Sequence, residues 1–110
     1  MKSKATASKS AASVRGSTTG RPIMAALDLL GRRGSLRILW ELREERVLTF
    51  RSLQEAAATN PSLLNTRLRE LREAGIVAHE GQGYLLTASG KQLMTALAPL
   101  TVWAGKWAGR

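Results

Sequence analysis

The sequence is most constrained at Thr59-Asn60-Pro61, which marks the start of a helix. Asn60 suits the N-cap, because its side-chain oxygen can accept a hydrogen bond from a free backbone N–H, and Pro61 suits the first helical position, where no N–H is needed. The apolar residues that follow recur at i, i+4 and i+7, namely Leu64, Leu68 and Leu71. The pattern therefore predicts an amphipathic helix over about residues 61–74, ended by Gly75.

A β-hairpin is predicted directly after this helix. Apolar and β-prone residues at 76–79 and 84–86 flank the turn sequence Gly81-Gln82-Gly83. Two extended segments joined by a tight glycine turn are typical of a small hairpin. His79 is expected to be an ordinary strand residue within it.

Shorter helices are predicted on both sides of this unit. Upstream, one helix runs from Pro22 to Gly31, a second is capped by Ser35 and runs to about Glu44, and a third covers residues 50–57 with Thr49 as its N-cap. Residues 47–49 are too few for more than a short extended segment. Downstream, Thr87 caps a last helix that Pro99 kinks or divides.

The predicted order is helix, helix, short strand, helix, helix, hairpin, helix, which is the order of a winged helix-turn-helix. We therefore predict a mainly α fold with a small β-hairpin over residues 21–110, in which the last helix mediates dimerisation. Residues 1–20 consist almost entirely of Ser, Thr, Ala, Lys and Gly. Because such a segment buries too little apolar surface to offset its ordering entropy, we predict a disordered basic N-terminal tail there.

The charge balance favours a polyanionic partner. The chain has 17 Lys and Arg against 8 Asp and Glu, a formal net charge of +9, and such an excess points to nucleic acid first. Two interpretations of the basic tail stay open: a solubilising leader, or an arm that follows DNA phosphates.

Several classes of site and of protein are not expected. The chain has no cysteine and a single histidine, His79, which excludes disulfides and thiol redox chemistry and makes a zinc site improbable. No nucleophile–base pair, paired carboxylates or phosphate-cradling loop is recognisable, so neither an enzyme nor a cofactor is expected. No apolar run approaches the roughly 20 residues of a membrane span, and a secretory signal is lacking, so we expect a soluble, cytoplasmic, nucleoid-associated protein.

The helix over residues 61–74 carries the residues expected to contact double-stranded DNA. With its leucines facing the core, Asn65 could pair with adenine and Arg69 with guanine in the major groove, while Arg67 and Arg72 flank them near the phosphates. The full predicted set is Ser62, Asn65, Thr66, Arg67, Arg69 and Arg72, with Gln82 in the wing. The alternative is a solvated helix face on which Arg69 pairs with Glu73 at i,i+4. The helix order, the hairpin and the basic charge favour DNA contact.

The predicted wing turn, Glu80-Gly81-Gln82-Gly83, contains no Lys or Arg. A short glycine turn can still bring backbone N–H groups to a phosphate, but that contact is weaker than one made by arginine. One hypothesis is therefore that the basic tail, if it follows DNA phosphates, supplies the electrostatic attraction that this wing lacks.

The last helix carries more apolar surface than one small core can absorb, and two of the three tryptophans lie in the last eight residues. An exposed apolar patch of this kind predicts a partner, and the simplest is a second copy that joins this helix and the first one across a two-fold axis. The predicted dimerisation residues are Ile23, Leu27, Leu97, Leu100, Trp103 and Trp107. The alternative is that both tryptophans fold back onto their own core.

Four segments, in this order and spacing, resemble the HxlR-type transcriptional regulators, a branch of the MarR-like winged-helix proteins. They are RPIMAALDLLG at 21–31, LRILWEL at 36–42, LLNTRLREL at 63–71 with AGIV at 74–77, and YLLT at 84–87 with Gly90. The resemblance implies a homodimer that binds specific DNA sequences and is sometimes responsive to a small molecule or oxidant. The cysteine that commonly precedes the opening proline of the family is Arg21 here, and the wing is shorter and less basic than is usual there.

Three functions are therefore compatible with the residues. The first is a sequence-specific transcriptional regulator, and the second is a winged-helix protein-interaction module without DNA binding, which the short wing favours. The third is a nonspecific nucleoid-associated DNA-binding protein, which the tail favours.

Overall fold

The computed structural model describes residues 21–109. In chain order its elements are helices α1 (Pro22–Leu30) and α2 (Ser35–Glu41), strand β1 (Leu48–Thr49), helices α3 (Phe50–Ala56) and α4 (Pro61–Glu73), strands β2 (Val77–Glu80) and β3 (Gly83–Leu86), and helices α5 (Ala88–Leu97) and α6 (Pro99–Ala108). The predicted winged helix-turn-helix is confirmed, while the predicted tail lies outside the described residues. No helix within 21–109 is long and apolar enough to cross a membrane.

The sheet has one strand more than the predicted hairpin. Its strands are antiparallel in the order β1-β3-β2, and Leu48 of β1 lies opposite Tyr84 of β3. The close approach of the segment before β1 explains Gly83, because a Cβ atom there would lie 2.5 Å from Val47 Cγ1. β1 thus joins the end of β3 next to the wing turn to the segment that leads into α3.

A single apolar core lies beneath α4. Leu64, Leu68 and Leu71 are at most 2% exposed, so the predicted orientation of this helix is confirmed. The buried residues that complete the cluster are Leu29, Ile38, Leu39, Leu42, Leu53, Val77, Tyr84 and Leu86. Full burial of one such side chain stabilises the fold by about 1.5–3 kcal/mol, so the leucine face fixes which side of α4 can meet a ligand.

Three predicted helix caps are confirmed. Asn60 Oδ1 accepts a hydrogen bond from the Leu63 backbone N–H at 2.8 Å. Thr49 Oγ1 and Thr87 Oγ1 accept in the same way, each at 3.1 Å, from the N–H groups three residues later in α3 and α5. Each cap satisfies a backbone donor that has no partner inside the helix, and so sets where the helix begins.

The predicted bounds of the second helix are wrong at both ends. Gly34, at φ +90°, is the N-cap, and Ser35 is the first helical residue, buried with its hydroxyl unpaired. The helix ends at Glu41, and Glu44 and Glu45 in the turn that follows adopt positive φ angles of 60° and 64°. The chain turns sharply into α2 at Gly34, and glycine adopts the left-handed backbone conformation needed there more readily than serine does.

The last helix is divided at Pro99, as predicted, because proline lacks an N–H and its ring clashes with the preceding turn. Ala98 ends α5 and precedes α6. No residue of 99–108 is buried, and the main contacts of α6 are with α5. Among the helices of residues 21–109, α6 is therefore the one that has no buried residue.

Candidate nucleic-acid interface

Helix α4 presents a polar face on the side opposite its leucines. Ser62, Asn65, Arg69 and Arg72 are exposed, whereas Thr66 is half-buried. Asn65 and Arg69 lie one turn apart, so both can reach the same stretch of a groove. The structure thus brings the two predicted base-reading residues together on an accessible surface.

Arg69 and Arg72 have no side-chain hydrogen bond or ion pair within the described residues. This distinguishes them from the arginines that pair with acids, which are Arg32, Arg37, Arg46, Arg51 and Arg67. The predicted alternative, an Arg69–Glu73 pair, does not form. Two neighbouring unpaired guanidinium groups concentrate positive charge on this face of α4.

Arg67 occupies a different environment from the one expected from its position on the helix. Its side chain is 16% exposed. Its Nε donates to the backbone carbonyl oxygen of Arg33 at 2.7 Å, and Nη1 lies 3.3 Å from Glu70 Oε1. Glu70 also pairs with Arg32 at 2.8 Å. These contacts tie α4 to the loop between α1 and α2, which makes Arg67 a residue that positions the helix.

The turn between α3 and α4 is held by backbone hydrogen bonds. Thr59 N donates to Gln54 O at 3.2 Å, and Ala58 N donates to Glu55 O at the same distance. Ala58 adopts φ +53°, a conformation that favours glycine. The turn therefore sets the angle at which α4 leaves α3.

Arg33 is an arginine outside the set predicted to contact DNA. It is exposed, its side chain has no partner in the described part of the chain, and it lines a shallow cleft with the α3–α4 turn and Leu63. It lies in the segment between the first two predicted helices. The sequence signal at this place is Gly31-Arg32-Arg33-Gly34. Because this segment has no helical periodicity, its sequence does not show which side of the fold the arginines occupy.

The wing is a tight two-residue turn. Glu80 lies opposite Gly83, and Gly81 at φ +60° and Gln82 form the tip. Gln82 and Glu80 are both exposed. The tip is therefore polar with an acidic neighbour, and it carries no basic group.

A cleft separates the second half of α4 from β2. It has a volume of about 480 Å³ and is lined by Arg69, Arg72, Glu73, Val77, Ala78 and His79. The His79 ring lies flat on Tyr84, with ring centroids 4.1 Å apart and planes 8° from parallel. Tyr84 belongs to the core, so the stack fixes the imidazole at the mouth of the cleft. No cluster of residues among 21–109 could hold a metal ion.

The order α3, turn, α4 and two-stranded wing is the order found in a known family of proteins. Residues 35–78 match the family described as winged helix-turn-helix DNA-binding. The chain therefore has the winged helix-turn-helix fold. The match runs from α2 through α4 into β2, and so includes every predicted base-reading residue of this winged helix.

Known proteins agree with this assignment. The chain is 27% identical over 89 residues to the uncharacterized HTH-type transcriptional regulator MJ0925 of Methanocaldococcus jannaschii, covering 76% of this chain and 83% of that protein. It is similar to quinone-bound YodB from B. subtilis, with a TM-score of 0.70 and 27% identity over 76% of this chain and 96% of YodB. It is also similar to the Mycobacterium tuberculosis MarR family protein Rv2887, with a TM-score of 0.60 and 25% identity over 96% of this chain and 73% of that one.

The winged helix carries large apolar side chains at both ends of the described chain. Ile23, Leu27, Leu100, Trp103 and Trp107 are each more than half exposed, and Leu97 is half-buried. The rings of Trp103 and Trp107 stack 5.5 Å apart. The tryptophans do not fold back onto the core of their own chain.

A groove extends this apolar surface. It lies between α2 and the α5–α6 pair, has a volume of about 510 Å³, and is lined chiefly by Leu36, Trp40, Met94, Leu97, Leu100 and Ala104. Arg43 lies over the Trp40 ring, 4.0 Å from its centroid. The predicted dimerisation residues Leu97 and Leu100 are thus continuous with the apolar residues Leu36 and Trp40 of α2.

Proposed function

We propose that this chain is a sequence-specific transcriptional regulator that binds double-stranded DNA as a homodimer, with α4 in the major groove. The observation that carries the proposal is the division of α4 into a leucine face that is buried and a face on which Asn65 and Arg69 are exposed. Had either side chain been packed inside the fold, the helix could not read bases. The match of residues 35–78 to winged helix-turn-helix DNA-binding proteins supports the same function.

Direct readout requires side chains whose donors and acceptors match base edges. Asn65 offers the amide that pairs with adenine N6 and N7, and Arg69 offers the guanidinium that pairs with guanine O6 and N7. The guanidinium of Arg69 has no competing partner among residues 21–109, so it does not have to give up an ion pair when it binds a base. Ser62 and Thr66 are short polar neighbours that allow close approach of the helix to the groove floor.

The homodimer is supported by the state of α6. An isolated helix shorter than about 12–15 residues is marginal in water, and the ten residues of α6 include no buried side chain. A second copy covering α6 and the apolar residues of α1 would supply the missing contacts. Two α4 helices would then meet successive major grooves about 34 Å apart, on a pseudo-palindromic site.

We further propose the HxlR-type branch of this fold. The similarity to YodB, an HxlR-like protein, extends over nearly all of that chain. Arg21 occupies the position where the family commonly has a cysteine, and the chain contains no cysteine at all. An effector of this protein would therefore have to act without a thiol.

Binding selection on random duplex DNA at about 0.15 M salt tests the function. We expect a defined, two-fold symmetric motif, and we expect Arg69→Gln to weaken binding to that motif and relax preference at one base pair in each half-site. Lys91→Gln removes the same charge at a residue that pairs with Glu45, away from α4, and serves as the control.

Two other outcomes would replace the proposal. Binding that is sequence-blind and steeply salt-dependent would make the chain a nucleoid-associated protein. A folded dimer that binds no duplex would make it a protein-interaction module.

A further inference from the structure

The cleft between α4 and β2 combines groups that the proposed base readout does not use. Arg72 lines it from the helix and His79 from the strand, while Glu73 is the acid in its lining. Arg72 has no partner within the described residues, and neither Glu73 nor His79 forms an ion pair with it. An arginine and a histidine thus line one open cleft from two different elements.

The histidine is held in place before any ligand arrives. His79 lies directly opposite Tyr84 in the β2–β3 register, and the two rings are stacked. Tyr84 is 8% exposed, so it is itself fixed by the core. Because the imidazole need not be ordered on binding, a hydrogen bond from its ring N–H costs little conformational entropy.

The position of the cleft indicates what it binds. It adjoins Arg69, and so a duplex whose major groove receives Asn65 and Arg69 must carry one of its backbones past the end of α4 that faces β2. The wing tip, with Glu80 and no basic residue, is poorly suited to that backbone. A phosphodiester needs the donors that this cleft offers: a bidentate guanidinium and a neighbouring N–H.

We propose that the cleft holds one DNA backbone phosphate, bound by Arg72 and His79, and that this contact at the base of the wing replaces the usual contact at its tip. The proposal rests on the DNA-binding function proposed above. Glu73 limits the affinity of the cleft, since its carboxylate repels the same phosphate.

The test is a set of charge-matched variants measured by fluorescence anisotropy on the selected duplex. Arg72→Gln should weaken binding about tenfold and lower the slope of log K against log salt by about 0.9, the value for one phosphate contact. His79→Ala should weaken binding several-fold, and Glu73→Gln should strengthen it. Lys91→Gln should leave the affinity within about twofold, because that side chain pairs with Glu45 outside the cleft.

A scan with single methylphosphonate linkages locates the contact. At one linkage in each half-site, loss of the phosphate charge should make Arg72→Gln nearly silent, whereas the two losses should add at every other linkage. Circular dichroism and thermal unfolding confirm that each variant is folded, and Arg72→Lys should recover part of the affinity.

The outcomes separate the two proposals. Affinity unchanged in Arg72→Gln, or losses that add at every linkage, overturns the phosphate site while leaving DNA binding intact. Sequence-blind binding that retains the Arg72 and His79 effects supports the cleft and rejects specific regulation. No binding of any duplex by the wild-type chain overturns both.

Discussion

The Arg67 guanidinium donates to the backbone carbonyl oxygen of Arg33 at 2.7 Å, across the gap between α4 and the α1–α2 loop. The bond joins a charged donor to a main-chain acceptor, and such charge-assisted hydrogen bonds are stronger than neutral ones. It also opposes rotation of α4 about its own axis, which would move the face that we propose to read bases. Two arginines that are near neighbours on one helix, Arg67 and Arg69, therefore have separable tasks.

Arg67→Ala should destabilise the fold by about 1–3 kcal/mol, because it removes a charge-assisted hydrogen bond and one ion pair of Glu70. Arg69→Ala should change the free energy of unfolding by no more than about 0.5 kcal/mol, since its side chain has no partner among the described residues. Urea unfolding of both variants measures the difference. Equal destabilisation by the two substitutions would contradict the assignment of Arg67 as a positioning residue.

Gly90→Ala should destabilise the fold by about 3 kcal/mol and lower Tm by more than roughly 10 °C, because the new methyl group would overlap the Ile76 carbonyl. Helix α5 lies directly on the chain that leaves α4 at this point. Gly105→Ala is the matched control, since nothing lies within 4 Å of its Cβ position. It should stabilise α6 by about 0.5–1 kcal/mol. A Gly90→Ala variant with wild-type Tm would show that α5 does not pack as described.

Ala58→Gly should raise Tm by a few degrees. The alanine adopts φ +53°, which costs an L-residue about 1–2 kcal/mol, and glycine loses only part of that gain through its freer unfolded chain. Ala96→Gly, at an exposed position inside α5, is the control and should lower stability by about 0.5–1 kcal/mol. The opposite sign at position 58, measured by calorimetry, would mean that the turn before α4 differs from the one described.

Trp103→Ser should raise the dimer dissociation constant by roughly 30-fold, since a central interface tryptophan commonly contributes about 2 kcal/mol or more. Val47→Thr removes apolar surface at a side chain that is also more than half exposed but lies before β1, and it should leave association unchanged. Sedimentation equilibrium over a range of concentrations measures both. A Trp103→Ser chain that associates like the wild type would place the interface elsewhere.

Deletion of residues 1–20 should flatten the salt dependence of DNA binding. Lys2, Lys4, Lys9 and Arg15 each add about 0.9 to the slope of log K against log salt if they contact phosphates. A full-length chain with these four residues changed to Gln separates the effect of charge from that of length. A slope that stays the same in both variants identifies the tail as a leader with no part in binding.

The part of the fold that the sequence predicted well is the part fixed by local chemistry. Asn60, Thr49 and Thr87 cap their helices where expected because an N-cap depends on one side chain and the next three residues. The leucine spacing of α4 likewise fixes its buried face without reference to the rest of the chain. Most of the candidate interface follows from these two facts.

What the sequence did not predict depends on contacts between distant segments. The pairing of Leu48 with Tyr84 joins residues 36 positions apart, and a two-residue strand has no periodicity to reveal it. Ser35 has the composition of a cap, but the preceding Gly34 adopts a left-handed conformation and takes that place. Arg67 was assigned to phosphates by its angle on the helix, because a helical wheel contains no information about the Arg33 carbonyl.

Helix α6 has few contacts with its own chain, so its stability can depend on the concentration of a molecule that binds it. Its ten residues contact mainly α5 and none of them is buried, so a molecule that covers α6 would stabilise this helix more as the concentration of that molecule rises. If that molecule is a second copy of the chain, cell growth lowers its concentration and new synthesis raises it. The concentration of the protein would then determine what fraction of it is a dimer with two α4 helices available for DNA, and no effector would be needed.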